Sequence, residues 1–82
     1  MNIQIRIFPI AGLCNEKKEL ELALEKGNFY EAQARLEELL GISFRENKTL
    51  MFLHNGQGLD RNKDIVFREG DQLWLMPLLS GG

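Results

Sequence analysis

The sequence has little cysteine, histidine or proline, and each shortage narrows the class of protein. Its single cysteine, Cys14, cannot form a disulfide within the chain, which fits a reducing compartment and predicts a cytoplasmic location. One histidine and one cysteine are too few for a structural zinc site made by this chain alone, so we expect no bound metal. The 82 residues leave room for one small domain.

Neither charge nor hydropathy indicates a nucleic-acid or membrane partner. The Lys and Arg residues are scattered and the formal net charge is −2, so the basic patch typical of a nucleic-acid-binding domain is missing. No apolar run approaches the roughly 20 residues that a membrane span requires. The first residues, MNIQIRIF, alternate instead of forming the continuous apolar stretch of a signal peptide. We therefore expect no nucleic acid and no membrane among the partners.

Period-two alternation predicts two strands at the start of the chain. Residues 2–8 place three isoleucines on one face, and residues 19–24 alternate leucine with glutamate. A loop through Gly12 and Asn15 separates the two segments. This arrangement predicts a β-hairpin.

A helix follows, with start and stop residues that are typical of helix ends. Asn28 is a good N-cap, and Glu31 three residues later completes the pattern of a capping box. Gly41 is a natural C-terminal stop. Apolar residues recur at helical spacing and predict a buried face made of Phe29, Ala32, Leu36, Leu39 and Leu40.

Three more strands are predicted in the second half of the sequence. Residues 49–54 form the third strand, and Asn55-Gly56 marks a hairpin turn because both residues tolerate positive φ. Residues 57–59 pair back, and residues 72–76 form the last strand. Two strands, one helix and then three strands predict an α+β domain whose single helix covers one face of a sheet.

The chain ends in a proline followed by LLSGG. Pro77 has no backbone N–H to donate to a central strand's ladder, so we expect it to release the chain from the sheet. This predicts a folded domain, residues 1–77, and a flexible tail, residues 78–82, that reaches roughly 17 Å when extended. Gly81 and Gly82 carry no side chains, so the tail can enter a channel too narrow for other residues. The carboxylate of Gly82 is ionised at neutral pH and is a poor electrophile until a partner activates it.

Four segments carry a resemblance to a known family: NIQIRIF in the first strand, LHNG in the third, EGDQLWLMP leading into the last, and SGG at the end. On these segments the chain resembles the sulfur carriers of the ubiquitin-like β-grasp superfamily. It is most similar to the small subunit of molybdopterin synthase, and the thiamine-biosynthesis sulfur carrier is a close relative. The resemblance implies a β-grasp fold, with a mixed sheet of about four to five strands, one helix on one face and a free C-terminal tail. Carriers of the molybdopterin type often have two prolines before the tail, whereas Leu78 follows Pro77 here.

The resemblance implies a carrier, or the non-catalytic small subunit of a synthase, and not an enzyme. An ATP-dependent adenylyltransferase similar to ubiquitin-activating enzymes would adenylate Gly82, and a sulfur donor would convert it to a thiocarboxylate. The tail, with Gly81, would enter the large subunit of molybdopterin synthase, or thiazole synthase in the thiamine branch. In the molybdopterin branch the sulfur would pass to a pterin precursor of the molybdenum or tungsten cofactor. The carrier itself would bind no cofactor, because ATP is used by the partner.

A partner-binding surface is predicted on the face of the sheet opposite the helix. If the isoleucines of the first strand face the helix, strand alternation sends Phe8, Trp74 and Met76 to the other face. Aromatic residues and methionine are enriched at protein interfaces, and the apolar tail residues would extend this surface. The predicted surface consists of Phe8, Trp74, Met76, Pro77, Leu78, Leu79 and Ser80.

Two other functions stay open at the level of the sequence. A ubiquitin-like modifier would join Gly82 to lysines of target proteins, although PLLSGG lacks the arginines that ubiquitin carries before its glycines. A passive ubiquitin-like interaction module would not use its tail at all. Six further residues are interpreted as ordinary loop and surface groups and not as a nucleophile, a base or a cation site: Cys14, His54, Asp60, Asp64, Glu69 and Asp71.

Overall fold

The computed structural model describes residues 1–78. These residues form five strands and one helix in the order β1 (Asn2–Ile7), β2 (Lys18–Ala23), α1 (Phe29–Leu40), β3 (Leu50–His54), β4 (Gln57–Leu59) and β5 (Gln72–Pro77). Every predicted element is present, with bounds that differ from the predicted ones by one residue at most. Within residues 1–78 there is no helix with the length and apolar character needed to cross a bilayer.

The five strands form one mixed sheet in the order β2-β1-β5-β3-β4. The β1–β2 hairpin is antiparallel, as predicted, and β3 pairs antiparallel with both β4 and β5. β1 and β5 pair in parallel at the centre of the sheet, with Ile5 opposite Leu73 and Ile7 opposite Leu75. β5 therefore has β1 on one side up to Leu75 and β3 on the other side from Leu73 to Pro77.

The core lies on one face of this sheet. Ile3, Ile5 and Ile7 of β1 are buried there together with alternate residues of β3 and β5. From α1, the side chains of Phe29, Ala32 and Leu36 join the same buried cluster. The α+β class and the single helix on one sheet face are thus confirmed.

Phe52 of β3 connects the helix to the loop that follows it. Its ring meets those of Phe29 and Phe44 in edge-to-face contacts, each with centroids 5.1 Å apart. All three rings are fully buried, and such aromatic pairs contribute beyond the area that they bury.

The prediction that Leu39 belongs to the buried face of the helix is wrong. Leu39 is 61% exposed, whereas Leu36 is buried and Leu40 is partly buried against the core. Ala32, Leu36 and Leu40 follow one another at spacings of four, and such a row turns slowly around the helix. The buried stripe follows this row, which leaves Leu39 at its exposed margin.

The helix begins at its predicted cap, but one half of the predicted capping box is wrong. The side chain of Asn28 accepts a hydrogen bond from the N–H of Glu31 at 3.0 Å, as an N-cap should. The carboxylate of Glu31 does not return to Asn28; it accepts from the N–H groups of Glu25, Lys26 and Gly27 at 2.7–3.0 Å. The bond from Glu25, helped by those from Lys26 and Gly27, holds the pKa of Glu31 below its ordinary value in spite of desolvation.

The predicted helix end at Gly41 and the predicted hairpin turn at Asn55-Gly56 both have the backbone conformation that they require. Gly41 ends α1 in the left-handed region with φ 69°, and its N–H donates to the carbonyl of Glu37. Asn55 and Gly56 join β3 to β4 with φ 50° and 86°. Two successive positive φ values are those of the tight hairpin turn predicted for this pair.

Candidate partner-binding surface

Strand pairing gathers five apolar side chains on the face opposite the helix. β5 buries alternate residues in the core, so Trp74 and Met76 point to the opposite face, and β3 does the same with Met51 and Leu53. Leu53 lies opposite Trp74 in the register, and Met51 lies opposite Met76. The ring of Phe8 lies 5.5 Å from that of Trp74 between centroids. We call Phe8, Met51, Leu53, Trp74 and Met76 the Trp74 patch.

All five side chains of the Trp74 patch are half-buried, and polar groups border them on the side of β2. The guanidinium of Arg6 lies over the indole of Trp74, 5.0 Å from the ring centroid, and its Nε is 3.2 Å from the carboxylate of Glu19. Next to this pair, the amide of Gln4 donates to Glu21 at 3.5 Å. An apolar centre with a polar rim is the usual composition of a protein interface.

The sequence predicted part of this surface and missed the rest. Phe8, Trp74 and Met76 lie together as predicted, on the face away from the helix. Met51 and Leu53 were not among the predicted surface residues. Both residues alternate with the core residues of β3, and this alternation would have assigned them to the face away from the helix. Only the pairing of β3 with β5 brings them next to Trp74.

The structure corrects the predicted role of Pro77. This residue does not release the chain: it is the last residue of β5, opposite Leu50, and the N–H of Leu78 still donates to the carbonyl of Thr49 at 2.6 Å. In an antiparallel pair, hydrogen-bonded and non-hydrogen-bonded positions alternate. Because Leu78 donates to β3's side, the nitrogen of Pro77 faces the side of β1. On that side the N–H of Phe8 still donates to the carbonyl of Leu75 at 2.9 Å, and Pro77, which has no N–H, adds no further bond to this ladder while its β3 side stays paired.

Leu78 follows with 53% of its surface exposed. The other predicted tail residues, Leu79, Ser80, Gly81 and Gly82, lie outside the described residues.

The remaining reactive side chains have local structural partners. The thiol of Cys14 is buried and lies 3.5 Å from the carbonyl oxygen of Phe8. Asp64 accepts from the N–H of Tyr30 in the first turn of α1 and from the side chain of Asn28. Among residues 1–78, no three His, Cys, Asp or Glu side chains come together in a way that could hold a metal ion.

His54 has a partner that the sequence did not reveal. Its Nε2 lies 2.8 Å from a carboxylate oxygen of Asp71, and its ring stands edge-to-face against the buried ring of Phe67. The same carboxylate accepts from the N–H of Arg68 and from the side chain of Asn55. Burial acts to raise the pKa of Asp71, but these hydrogen bonds outweigh it, so the pKa lies below the ordinary value. This cluster joins the β3–β4 turn to the start of β5.

We expect Asp71→Asn to lower the free energy of unfolding at pH 7 by about 1–2 kcal/mol, because the variant loses a charge-assisted acceptor. The folded-state pKa of Asp71 is lowered, so its contribution is present above the ordinary carboxyl pKa of about 3.9 and is lost as pH falls through the lowered value. The difference between variant and wild type should therefore shrink as pH falls from about 5 through the lowered pKa of Asp71. Urea unfolding at several pH values measures it.

Asp60→Asn is the control for this measurement, since Asp60 is exposed and its carboxylate accepts a local bond from Asn62. It should change stability little at any of these pH values. A loss in Asp71→Asn that stayed constant with pH would show that the carboxylate's charge contributes nothing.

Comparison with known proteins gives no match at any of three levels. No protein-family model matches the chain, and neither a curated protein nor a solved structure is significantly similar to it.

Proposed function

We propose that this chain is a β-grasp sulfur carrier that works in the synthesis of the molybdopterin cofactor. The observation that carries the proposal is the position of β5. It runs through the centre of a mixed five-stranded sheet with one helix on one face, and the strand ends beside the Trp74 patch immediately before the sequence LLSGG. In the sequence, LLSGG follows a firmly held strand that borders an apolar surface, and this arrangement suits a glycine carboxylate that a docked enzyme must reach.

The chemistry that we assign to Gly82 begins with activation. A carboxylate oxygen of Gly82 attacks the α-phosphorus of ATP on an adenylyltransferase similar to ubiquitin-activating enzymes, and pyrophosphate leaves. The resulting acyl adenylate has AMP as a good leaving group. A donor that delivers sulfur at the sulfide level then attacks the acyl carbon: the C–S bond forms, the C–O bond to AMP breaks, and AMP leaves. The product is a thiocarboxylate, which the large subunit of molybdopterin synthase uses to add sulfur to a pterin precursor. The chain supplies the nucleophilic sulfur, and its partners supply the catalytic sites.

The Trp74 patch is the surface on which we expect these partners to dock. It combines two aromatic rings with two methionines and a leucine, and Arg6 at its border keeps part of its guanidinium exposed over the indole. Trp and Arg are the residue types most enriched among side chains that dominate binding energy. Met76 lies two residues before Leu78, so a partner seated on the patch also meets the start of the tail.

Trp74→Ala should weaken binding to the large synthase subunit by about 10- to 100-fold, as expected when a central interface tryptophan is truncated. The loss of stability should be smaller than the loss of binding free energy, because the indole is half-buried in the free protein. Titration calorimetry and urea unfolding provide the two numbers. Leu39→Ala, an exposed apolar residue on α1, serves as the control and should leave the affinity unchanged. Equal affinity of Trp74→Ala and wild type would remove the patch from the interface.

The test of the function is the intact mass of the protein after incubation with ATP, a sulfur donor and each purified adenylyltransferase of this type from the same cell. An oxygen-to-sulfur exchange localised to Gly82 by fragmentation would support the proposal. Transfer of that sulfur by molybdopterin synthase or by thiazole synthase then distinguishes the pterin pathway from the thiamine pathway. Lysine conjugates ending in Gly-Gly without exchange would instead identify a protein modifier. Neither product with any enzyme would leave a passive interaction module.

A further inference from the structure

We propose that Leu78 is a positioning residue whose backbone N–H sets the length of chain that reaches into the partner. The inference rests on the proposed function, since it concerns how the Gly82 carboxylate is presented. Leu78 extends the β3–β5 register beyond Pro77, and its N–H donates to the carbonyl of Thr49 at 2.6 Å. A second proline at this position could not make that bond.

The acceptor of this bond lies in a loop that is itself held in place. Nη1 of Arg61 donates to the carbonyls of Asn47 at 3.1 Å and Leu50 at 3.2 Å, which lie on either side of Thr49. Nη2 of the same guanidinium donates to the carbonyl of Phe44, and the group lies over the ring of that residue. Hydrogen bonds from a charged donor are stronger than those between neutral groups. The carbonyl of Thr49 is therefore a fixed point and not part of a freely moving loop.

Arg61 can reach the carbonyls of Asn47 and Leu50 because β4 is short. β4 stops at Leu59, which lies opposite Phe52, so within residues 1–78 no strand pairs with the side of Leu50 that faces away from β5. The chain turns after β4 and brings the guanidinium to the carbonyl that a longer β4 would have bound.

The hydrogen bond from Leu78 to Thr49, which we call the anchor, determines how far the chain beyond Leu78 can reach. The segment from residue 79 to the Gly82 carboxylate that the proposed function uses has four residues, which can span at most about 13–14 Å at 3.3–3.6 Å each. If the chain left the sheet at Pro77, five residues would span roughly 17 Å. Misplacing a reacting group by about 1 Å can cost on the order of 100-fold in rate, so a difference of one residue matters. A partner matched to this chain has its reactive centre within the shorter distance of the sheet's end.

The experiment compares Leu78→Pro with Leu78→Ala, which both lose the leucine side chain, while only the first loses the N–H. A third variant has one glycine inserted between Leu78 and Leu79, which keeps the anchor and lengthens the reach by about 3.5 Å. The readout is ATP–pyrophosphate exchange by the adenylyltransferase that activates the wild type, with kcat and KM determined separately. We expect kcat to be at least about 10-fold lower in Leu78→Pro than in Leu78→Ala, with KM little different, and kcat to fall in the insertion variant as well.

Amide hydrogen exchange of Leu78 tests the anchor without any partner. Slow exchange in the wild-type protein supports the bond to Thr49, and exchange at the rate of an unstructured peptide overturns it. Equal kcat in Leu78→Pro and Leu78→Ala, with the wild type activated, would overturn the anchor's role and leave the proposed function intact. A wild type that no adenylyltransferase activates would overturn both, while a protected Leu78 amide would show that the failure lies in the function and not in the geometry.

Discussion

Gly82→Ala should reduce the formation of the thiocarboxylate by about 100-fold, and it should leave the midpoint of thermal unfolding unchanged. In the proposed function, an added methyl group next to the reacting carboxylate closes off conformations that only glycine adopts, and it widens a segment that we expect to pass through a narrow channel. The figure corresponds to about 2.7 kcal/mol of transition-state stabilisation. It is the size of effect expected when a reacting group is displaced by about an ångström.

The measurement is the intact mass after timed incubation with ATP, the sulfur donor and the activating enzyme, together with a thermal melt. Gly58→Ala is the matched control: Gly58 lies in β4, has no positive φ, and an added Cβ there would meet no heavy atom within 4 Å. We expect this control to be activated at the wild-type rate. A Gly82→Ala protein that accumulated the thiocarboxylate as fast as the wild type would rule out a size restriction at the last residue. A large fall in its unfolding temperature would contradict the separation of the tail from the folded domain.

Phe52→Ala is the substitution that we expect to destabilise the domain most, by about 3–5 kcal/mol. Phe52 is fully buried, and its ring lies between the rings of Phe29 on the helix and Phe44 on the following loop. Truncation leaves a cavity between three elements and removes two edge-to-face contacts. Neither neighbour can move in to fill the space without leaving its own position in the core.

A loss of this size is a large fraction of the stability of so small a domain, for which about 4–12 kcal/mol is expected from 0.05–0.15 kcal/mol per residue. It should lower the unfolding temperature by at least about 12 °C. Urea unfolding and a thermal melt measure the effect, and Leu39→Ala on the exposed side of the helix should change stability by less than about 0.5 kcal/mol. A loss below about 1.5 kcal/mol in Phe52→Ala would mean that the core around this ring collapses to fill the cavity.

The features that the sequence predicted well depend on residues close together in the chain. The alternation of β1 fixed its buried face, the Asn55-Gly56 pair fixed the turn, and Asn28 and Gly41 marked the ends of α1. In each case the physical cause, a side-chain period, a positive φ or a local hydrogen bond, acts within a few residues. The element order and the α+β class followed from these features.

The features that the sequence did not predict depend on pairing between distant segments. Pro77 can be the last residue of β5 because its nitrogen faces β1 and not β3, and the register between β3 and β5 decides that orientation. His54 and Asp71 are 17 positions apart and meet because β3 and β5 are neighbours. Arg61 reaches the carbonyls of Asn47 and Leu50 because β4, which ends two residues before it, is the neighbour of β3. The periodicity of a sequence shows which face of a strand or helix is buried, but it does not show which other elements lie beside it.

The parallel pairing of β1 and β5 also determines how the domain responds to mechanical force. The first residue of β1 and the last residue of β5 lie at opposite ends of the same pair, because the two strands run in one direction. Tension between the N-terminus and the C-terminal tail therefore slides the strands past each other and loads their hydrogen bonds together, whereas peeling would break them one after another. β3 pairs with β5 on its other side. A pull on the end of β5 against the N-terminus is therefore opposed by the hydrogen bonds to β1 and to β3 together.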